Sequence, residues 1–277
     1  MPLRRWSRVW PVSAAEVAER LTGRPVVAVR RLSGGDLSAV FRLTFADGGT
    51  LIAKQAATAM VEADMLRAIR AADAPAPDVV AAEGEWLLME DVAANAPVSA
   101  AWPDLARALA RLHVASGADY GWPVDHAFGA VMIENHPSPD WPTFWAERRL
   151  LCHLPFVRQA LGRRIERLAD RLHNHLPRRP PAAMLHGDLW GGNVLVAGNR
   201  VAALIDPACY RGDREVDVAM LSLFDRPPRS FLDLLALDIG WQHRQPVYHL
   251  WPLLVHLRLF GDSYADSVDA ALGACGC

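Results

Sequence analysis

The segment His186-Gly-Asp188-Leu-Trp190-Gly-Gly-Asn193 lies between two short hydrophobic runs, and a third run leads into Leu204-Ile205-Asp206-Pro207. An aspartate, an asparagine five residues later and a second aspartate after the next strand suit phosphoryl transfer from a nucleoside triphosphate. That reaction needs positioning and charge neutralisation more than covalent work. Asp188 can accept the proton of an attacking hydroxyl. Asn193 offers a neutral oxygen and Asp206 an anionic one, which suits magnesium ions bridging phosphates. His186 is expected to fix the loop by hydrogen bonding rather than to act as a base. Each of these types is also an ordinary turn residue, so the rest of the chain has to support the reading.

It does so in its first third. Of 29 basic residues, 28 are arginine and one is lysine, Lys54. Lysine is a compact point charge and arginine a broad planar fork, so a lone surviving lysine fits a tight phosphate contact. Lys54 falls on a third strand, where a kinase places its α/β-phosphate lysine, and Glu62 on the next helix is placed to pair with it. Gly34-Gly35 occupies a turn between the first two strands, where backbone N–H groups can approach phosphates closely. Trp86-Leu-Leu-Met89-Glu90-Asp91-Val92 reads as a strand running into a linker. Met89, Glu90 and Val92 are the expected backbone contacts for adenine.

The elements that must hold these residues follow from pattern. Ser13-Ala-Ala-Glu16 is a capping box opening a short helix that ends near Gly23. Strands are expected over 26–32, 40–45, with Phe41, Leu43 and Phe45 on one face, and 50–55, the last two joined by an Asp47-Gly48-Gly49 turn. A helix is expected over 58–71, with Met60, Ala63, Leu66 and Ile69 at helical spacing, ended by Pro75 and Pro77. After the strand at 86–90 come a small-residue linker at 93–99 and a helix at 105–114. Residues 117–141 read as an ordered surface loop and 141–176 as helical with an interruption near Pro155. Short hydrophobic runs follow at 183–185, 194–196 and 201–205, and the rest is mainly helical. A sheet with one helix, then a helical region holding a small hairpin, is a two-lobed α+β pattern.

At this level the chain resembles the fructosamine/ketosamine-3-kinase family, relatives of the aminoglycoside and choline phosphotransferases in the protein-kinase-like superfamily. The resemblance runs from about Leu32 to Phe224. It is carried by Gly34-Gly35-Asp36, Ala53-Lys54, Glu62, Gly121-Trp122, Trp141, Phe144 and Glu147-Arg-Arg-Leu150, and most specifically by the 186–193 string and Asp206-Pro-Ala-Cys-Tyr-Arg-Gly-Asp-Arg-Glu-Val-Asp217-Val-Ala-Met220. It implies a protein-kinase-like fold: a small antiparallel-sheet nucleotide-binding lobe with hinge over 1–92 and a mostly helical catalytic and substrate-binding lobe over 93–277. It implies ATP and Mg2+ as cofactors, ATP lying between the lobes. The expected reaction is transfer to the 3-hydroxyl of a ketosamine, a fructosamine or ribulosamine adduct, in deglycation repair. By motif position Asp188 is the base, Asn193 and Asp206 are metal ligands, Lys54 with Glu62 is the phosphate clamp, and Asp217 braces the loop. Trp190 stacks on the substrate or else fills the core. The family's Asp-Asn-Tyr-Ile-Gly-x-x-x-Gln-x-Asn loop is altered here: Asp125, Gly129 and Asn135 match, while His126, Ala127 and Ile133 stand at its Asn, Tyr and Gln positions.

Composition limits the remaining classes. The formal charge is −2 and the chain is 52% hydrophobic, which suits a folded soluble protein and not a basic nucleic-acid binder. No apolar run reaches the ~18–20 residues of a membrane span, and 247–260 reads as a buried helix. With four cysteines neither a disulfide scaffold nor a zinc site is expected, and Cys209 reads as a buried filler. The expected setting is the cytoplasm, and the expected partner is a small ketosamine, with glycated protein as a further candidate. The alternatives are an aminoglycoside/choline-type phosphotransferase, which would favour a strongly acidic C-terminal region, and a nucleotide-binding pseudokinase scaffold. Residues 225–277 hold six Asp and four Arg, a net of only −2, and Lys54, Asp188, Asn193 and Asp206 are all present.

Overall fold

A computed structural model describes residues 13–32, 38–114 and 116–277. Gly34 and Gly35 lie outside the described residues. The chain forms two compact units: residues up to Met60 with Asp78–Asp91, and Val61–Pro77 with Val92–Cys277.

In the first unit, α1 (Ala14–Thr22) opens on the reciprocal capping box of Ser13 and Glu16 and closes at Gly23. Five antiparallel strands follow: β1 (Val26–Arg31), β2 (Ala39–Phe45), β3 (Thr50–Gln55), β4 (Val79–Glu83) and β5 (Trp86–Glu90), in the order β1-β2-β3-β5-β4. Alternation on β2 and β3 turns Leu43, Phe45, Leu51 and Ala53 inward, where they pack with Leu88 against Ala14 and Ala18 of α1. β3 is thus a central strand, paired on both sides, and Lys54 on it is 7% exposed. Rigid backbone on both flanks fixes where that side chain starts.

Helix α2 (Ala59–Ala71) passes from the first unit into the second. Its buried stripe is Ala59, Glu62, Ala63, Leu66 and Ile69, joined by Met65, whereas Met60 is 45% exposed. Repeated i+3 spacing drifts around a helix of 3.6 residues per turn, so the stripe begins one residue earlier than the pattern from Met60 predicts.

The second unit contains α3 (Trp102–Val114), a three-stranded sheet of β6 (Ser116–Gly117), β9 (Ala182–Leu185) and β12 (Tyr210–Gly212), and two hairpins. These hairpins are β7 (His126–Phe128) with β8 (Val131–Ile133), and β10 (Val194–Ala197) with β11 (Arg200–Leu204). Its other helices are α4 (Trp141–Trp145), α5 (Gln159–Ala169), α6 (Leu172–His175), α7 (Glu215–Phe224), α8 (Arg229–Leu234), α9 (Trp241–Phe260) and α10 (Ala265–Ala274). Trp141, Phe144, Trp145, Tyr210, Tyr248 and Trp251 belong to one large core. Arg149 is buried in it, with its guanidinium over the rings of Phe144, Tyr210 and Trp251 at 4.2–4.9 Å. No helix among the described residues is long and apolar enough to cross a membrane.

The stretch 117–141 is not a plain loop. Asp125 Oδ1 accepts the Asn135 N–H at 2.7 Å, Gly129 supplies a left-handed turn residue, and Arg149 donates to Asn135 Oδ1 at 2.7 Å. The residues that match the family here therefore build the β7–β8 hairpin and tie it to a buried cation.

Candidate active site

The loop 186–193 leaves the buried strand β9 and ends where β10 begins. Three sets of contacts set its shape. At its start, the Asp217 carboxylate on the first turn of α7 takes the His186 N–H on Oδ2 and the Gly187 N–H on Oδ1, both at 2.9 Å. The same Oδ2 takes His113 Nε2 of α3 at 3.0 Å. Asp217 is fully buried. Burial alone would raise its pKa, but the hydrogen bonds from His113 and the Gly187 N–H outweigh it and hold the carboxyl below the usual range. An ionised carboxylate only accepts, so Nε2 of His113 carries the proton in this pair.

In the middle of the loop, Asn193 Nδ2 donates to the Asp188 carbonyl at 2.8 Å and to Asp188 Oδ2 at 3.1 Å. With its amide nitrogen committed to Asp188, the Asn193 side-chain oxygen is turned the other way. At the end, Ile205 N–H donates to the Asn193 carbonyl at 3.0 Å and Val194 pairs with Leu204. The β10–β11 hairpin thereby sets Asp206 next to the close of the loop. Asp206 has φ +53, a conformation that is uncommon for a side chain other than Gly and that clusters at functional sites. Asp188 and Asp206 are both half-buried.

His186 is fully buried, and its Nε2 donates to the Ile205 carbonyl at 3.0 Å. Burial pulls its pKa down, which keeps the ring neutral. Trp190 is 42% exposed, so its ring is not a core side chain. It lies against Gly192, where a Cβ would fall 2.2 Å from the indole. Cys209 is fully buried with its thiol pushed well above the usual range by desolvation, the character of an inert filler.

Gly187 sits at φ +81, and a Cβ there would lie 2.0 Å from the Ala208 carbonyl oxygen. Gly187→Ala is therefore expected to lower the melting temperature markedly, through left-handed strain of about 1–2 kcal/mol and a clash with backbone that cannot rotate away. A melt within a degree of wild type would show that the 186–193 loop is not held as described.

The Asp213-Arg214-Glu215 string is structural. Asp213 accepts the Tyr248 hydroxyl at 2.7 Å, and Tyr248 in turn accepts from Trp141 Nε1 at 3.0 Å. Glu215 is gripped by Arg244 through two bonds of 2.7 and 2.6 Å. These contacts lock α7, and so Asp217, onto α9. Two supports of the loop carry no motif signal: His113, which bonds to Asp217, and Asp225, whose Oδ2 takes the Gly191 N–H at 2.6 Å. Each bridges more than thirty residues of sequence, so only the tertiary structure reveals it.

A family model, fructosamine kinase, matches residues 9–275. The chain belongs to the fructosamine kinase family. It is 34% identical over 201 residues to a probable ketoamine kinase of Enterococcus faecium, covering 69% of this chain and 72% of that protein. It is 36% identical over 185 residues to one of Escherichia coli, covering 61% and 63%. The chain thus aligns with under two thirds of the second relative. Among solved structures, one called a putative fructosamine-3-kinase, from Thermobifida fusca, superposes with TM-score 0.86 at 32% identity, covering 95% of this chain and 98% of that one. An aminoglycoside phosphotransferase solved with AMP-PNP and hygromycin B superposes with TM-score 0.65 at 18% identity, which shows a shared fold. As a fructosamine kinase family member with a kinase-like α+β fold, the protein is a phosphotransferase, and the ordered 186–193 loop is the part of that fold described above.

Proposed function

We propose that this protein is an ATP-dependent kinase for the 3-hydroxyl of small ketosamines. The observation that supports this best is the loop in which Asn193 binds Asp188 at one end while the hairpin sets Asp206 beside it at the other. In this reading Asp188 takes the proton of the sugar 3-hydroxyl as that oxygen bonds to the γ-phosphorus. The bond to the β,γ-bridging oxygen breaks, and ADP leaves. Lys54 and Glu62 act as the phosphate clamp, Gly34 and Gly35 cover the phosphates with backbone N–H groups, and Met89, Glu90 and Val92 meet the adenine. Trp190, exposed beside the base, offers a flat apolar face to the sugar or its amine substituent.

The donor set fits magnesium. Asn193 presents an amide oxygen and Asp206 a carboxylate, and an ion held by one or two protein ligands takes its remaining positions from water and phosphates. Bound there, Mg2+ would neutralise charge on the transferring phosphate. Removal of the sugar from the amine after 3-phosphorylation, and so a role in repair of glycated molecules, belongs to the same proposal.

The test is the product. Incubation with ATP, Mg2+ and a fructosamine or ribulosamine should give a single phosphomonoester whose phosphorus couples to the proton on carbon 3 of the sugar. Phosphate on another hydroxyl would overturn the regiochemistry, and transfer to an aminoglycoside but to neither ketosamine would overturn the substrate class.

A further inference from the structure

We propose that Asp225 selects for the amine of the acceptor, its free carboxylate oxygen taking the ammonium N–H of a ketosamine that lies against Trp190. The inference deepens the functional reading above and rests on it. Asp225 stands directly after α7, where its own N–H donates to the Leu221 carbonyl at 2.9 Å. The next residue, Arg226, has φ +51, a left-handed backbone that a side chain other than Gly keeps only where its surroundings over-determine it. Helix α7 thus meets the 186–193 loop at both ends. Asp217 in its first turn binds the start of the loop, and Asp225 beyond its last turn binds Gly191.

The Asp225 carboxylate is only half used. Oδ2 accepts the Gly191 N–H at 2.6 Å. Oδ1 meets no donor and no cation among the described residues, yet it is not sealed from solvent. The nearby arginines do not take it: Arg229 is paired with Asp233 at 2.7 Å, and Arg226 is exposed and makes no ion pair with Asp225. A half-buried carboxylate with one oxygen fixed and the other free is an acceptor held ready for a donor from outside the chain.

Gly191 and Gly192 make room for it. A Cβ at 191 would fall 2.2 Å from Asp225 Oδ1, and one at 192 would fall 2.2 Å from the Trp190 indole. The carboxylate and the ring therefore rest against consecutive residues of one loop, and Trp190 is 42% exposed. An alkylated ammonium is recognised by this pairing, the cation over an aromatic face and its N–H on a carboxylate. A ketosamine carries such a nitrogen, separated from its 3-oxygen by three carbons only. A group that binds the nitrogen must then stand close to the base, and Gly191 is three residues from Asp188. An aspartate that merely fastened Gly191 would need one oxygen and no charge, which an asparagine supplies equally well.

The experiment compares wild type, Asp225→Asn and Asp225→Ala in the full chain. Two acceptors are used: an alkylamino ketosamine, and the alkyl ether of the same sugar, in which oxygen replaces the nitrogen. kcat and KM are measured for each acceptor beside a thermal melt. A charge-assisted hydrogen bond is worth roughly 10-fold or more in affinity, so wild type should favour the amine over the ether by about that factor. Asp225→Asn should melt like wild type and raise KM for the amine by roughly 10-fold, with a smaller change in kcat, and the preference for the amine should collapse. Asp225→Ala should lose the same preference and also melt lower, because the Gly191 N–H loses its acceptor. A preference that Asp225→Asn keeps within twofold would overturn the proposal. Equal losses on amine and ether, the mark of a purely structural role, would overturn it too. The functional reading fails separately, by a wild type that phosphorylates neither compound. Calorimetric titration of both compounds into wild type and Asp225→Asn then still decides: tighter binding of the amine that the substitution abolishes upholds the role of Asp225, and equal or absent binding refutes it.

Discussion

Asp188→Asn is expected to lower kcat on the order of 10³-fold, the range for loss of a positioned general base, while leaving the melting temperature close to wild type. The substitution removes the basic oxygen but keeps the shape of the group. Asp188 is half-buried, and an amide oxygen in its place can still accept the Asn193 Nδ2–H that now runs to Oδ2 at 3.1 Å. The second bond from Asn193, to the Asp188 carbonyl, does not involve the side chain at all. Loop geometry should therefore survive and KM for ATP should change little. Steady-state kinetics beside a thermal melt separates the two effects. Turnover near wild type would remove Asp188 from the role of base.

Asp217→Asn is expected to act on fold and rate together. The carboxylate is fully buried and accepts three hydrogen bonds. An asparagine must turn an NH2 toward at least one of those donors, leaving buried N–H groups facing each other. Breaking one side of a buried charged network costs about 3–5 kcal/mol, and the loop released by it should lose turnover as well. The pH dependence has a definite sign. The folded pKa of Asp217 lies below its unfolded value of about 3.9, so its stabilisation is present in full at neutral pH and is lost as pH falls through the folded pKa. The gap in unfolding free energy between wild type and Asp217→Asn should accordingly be widest near pH 7 and should narrow in strong acid. A gap under about 1 kcal/mol at neutral pH, smaller than a single unsatisfied buried group costs, would contradict the network described here. Denaturant titrations at a series of pH values measure it.

Legibility in the sequence followed the physical strength of each signal. The capping box of Ser13 and Glu16 and the alternation of Phe41, Leu43 and Phe45 placed α1 and β2 to within a residue. The run at 247–260 read as a buried helix and forms most of α9, which is buried along much of its length. Elements of two or three residues were not legible, because they are shorter than any period that could reveal them. β6, β7, β8 and β12 are of this kind, and the hairpin of β7 and β8 replaces an expected loop. β4 was missed because Val79–Glu83 has no alternation: it is an edge strand with no fully buried side chain.

The loop residues drew attention in the sequence because their types and order suit phosphoryl transfer. The supports of that loop did not. His113 at the end of an amphipathic helix looks like any polar residue of a last helical turn, and Asp225 looks like an ordinary turn residue. Arg149 stands out in the sequence only as part of the family string Glu147-Arg-Arg-Leu150, with no sign that it sits at 0% exposure among three rings and orders the 125–135 hairpin through Asn135. Such long-range pairings leave no local trace in one sequence.

The most direct test of the account is ADP release by the wild-type chain with ATP and Mg2+, measured with a fructosamine, with a ribulosamine and with no acceptor. The account predicts release that rises many-fold with at least one ketosamine, and a ratio of the two rates that names the preferred sugar. Release that neither ketosamine stimulates, in a protein that still binds ATP, would contradict it.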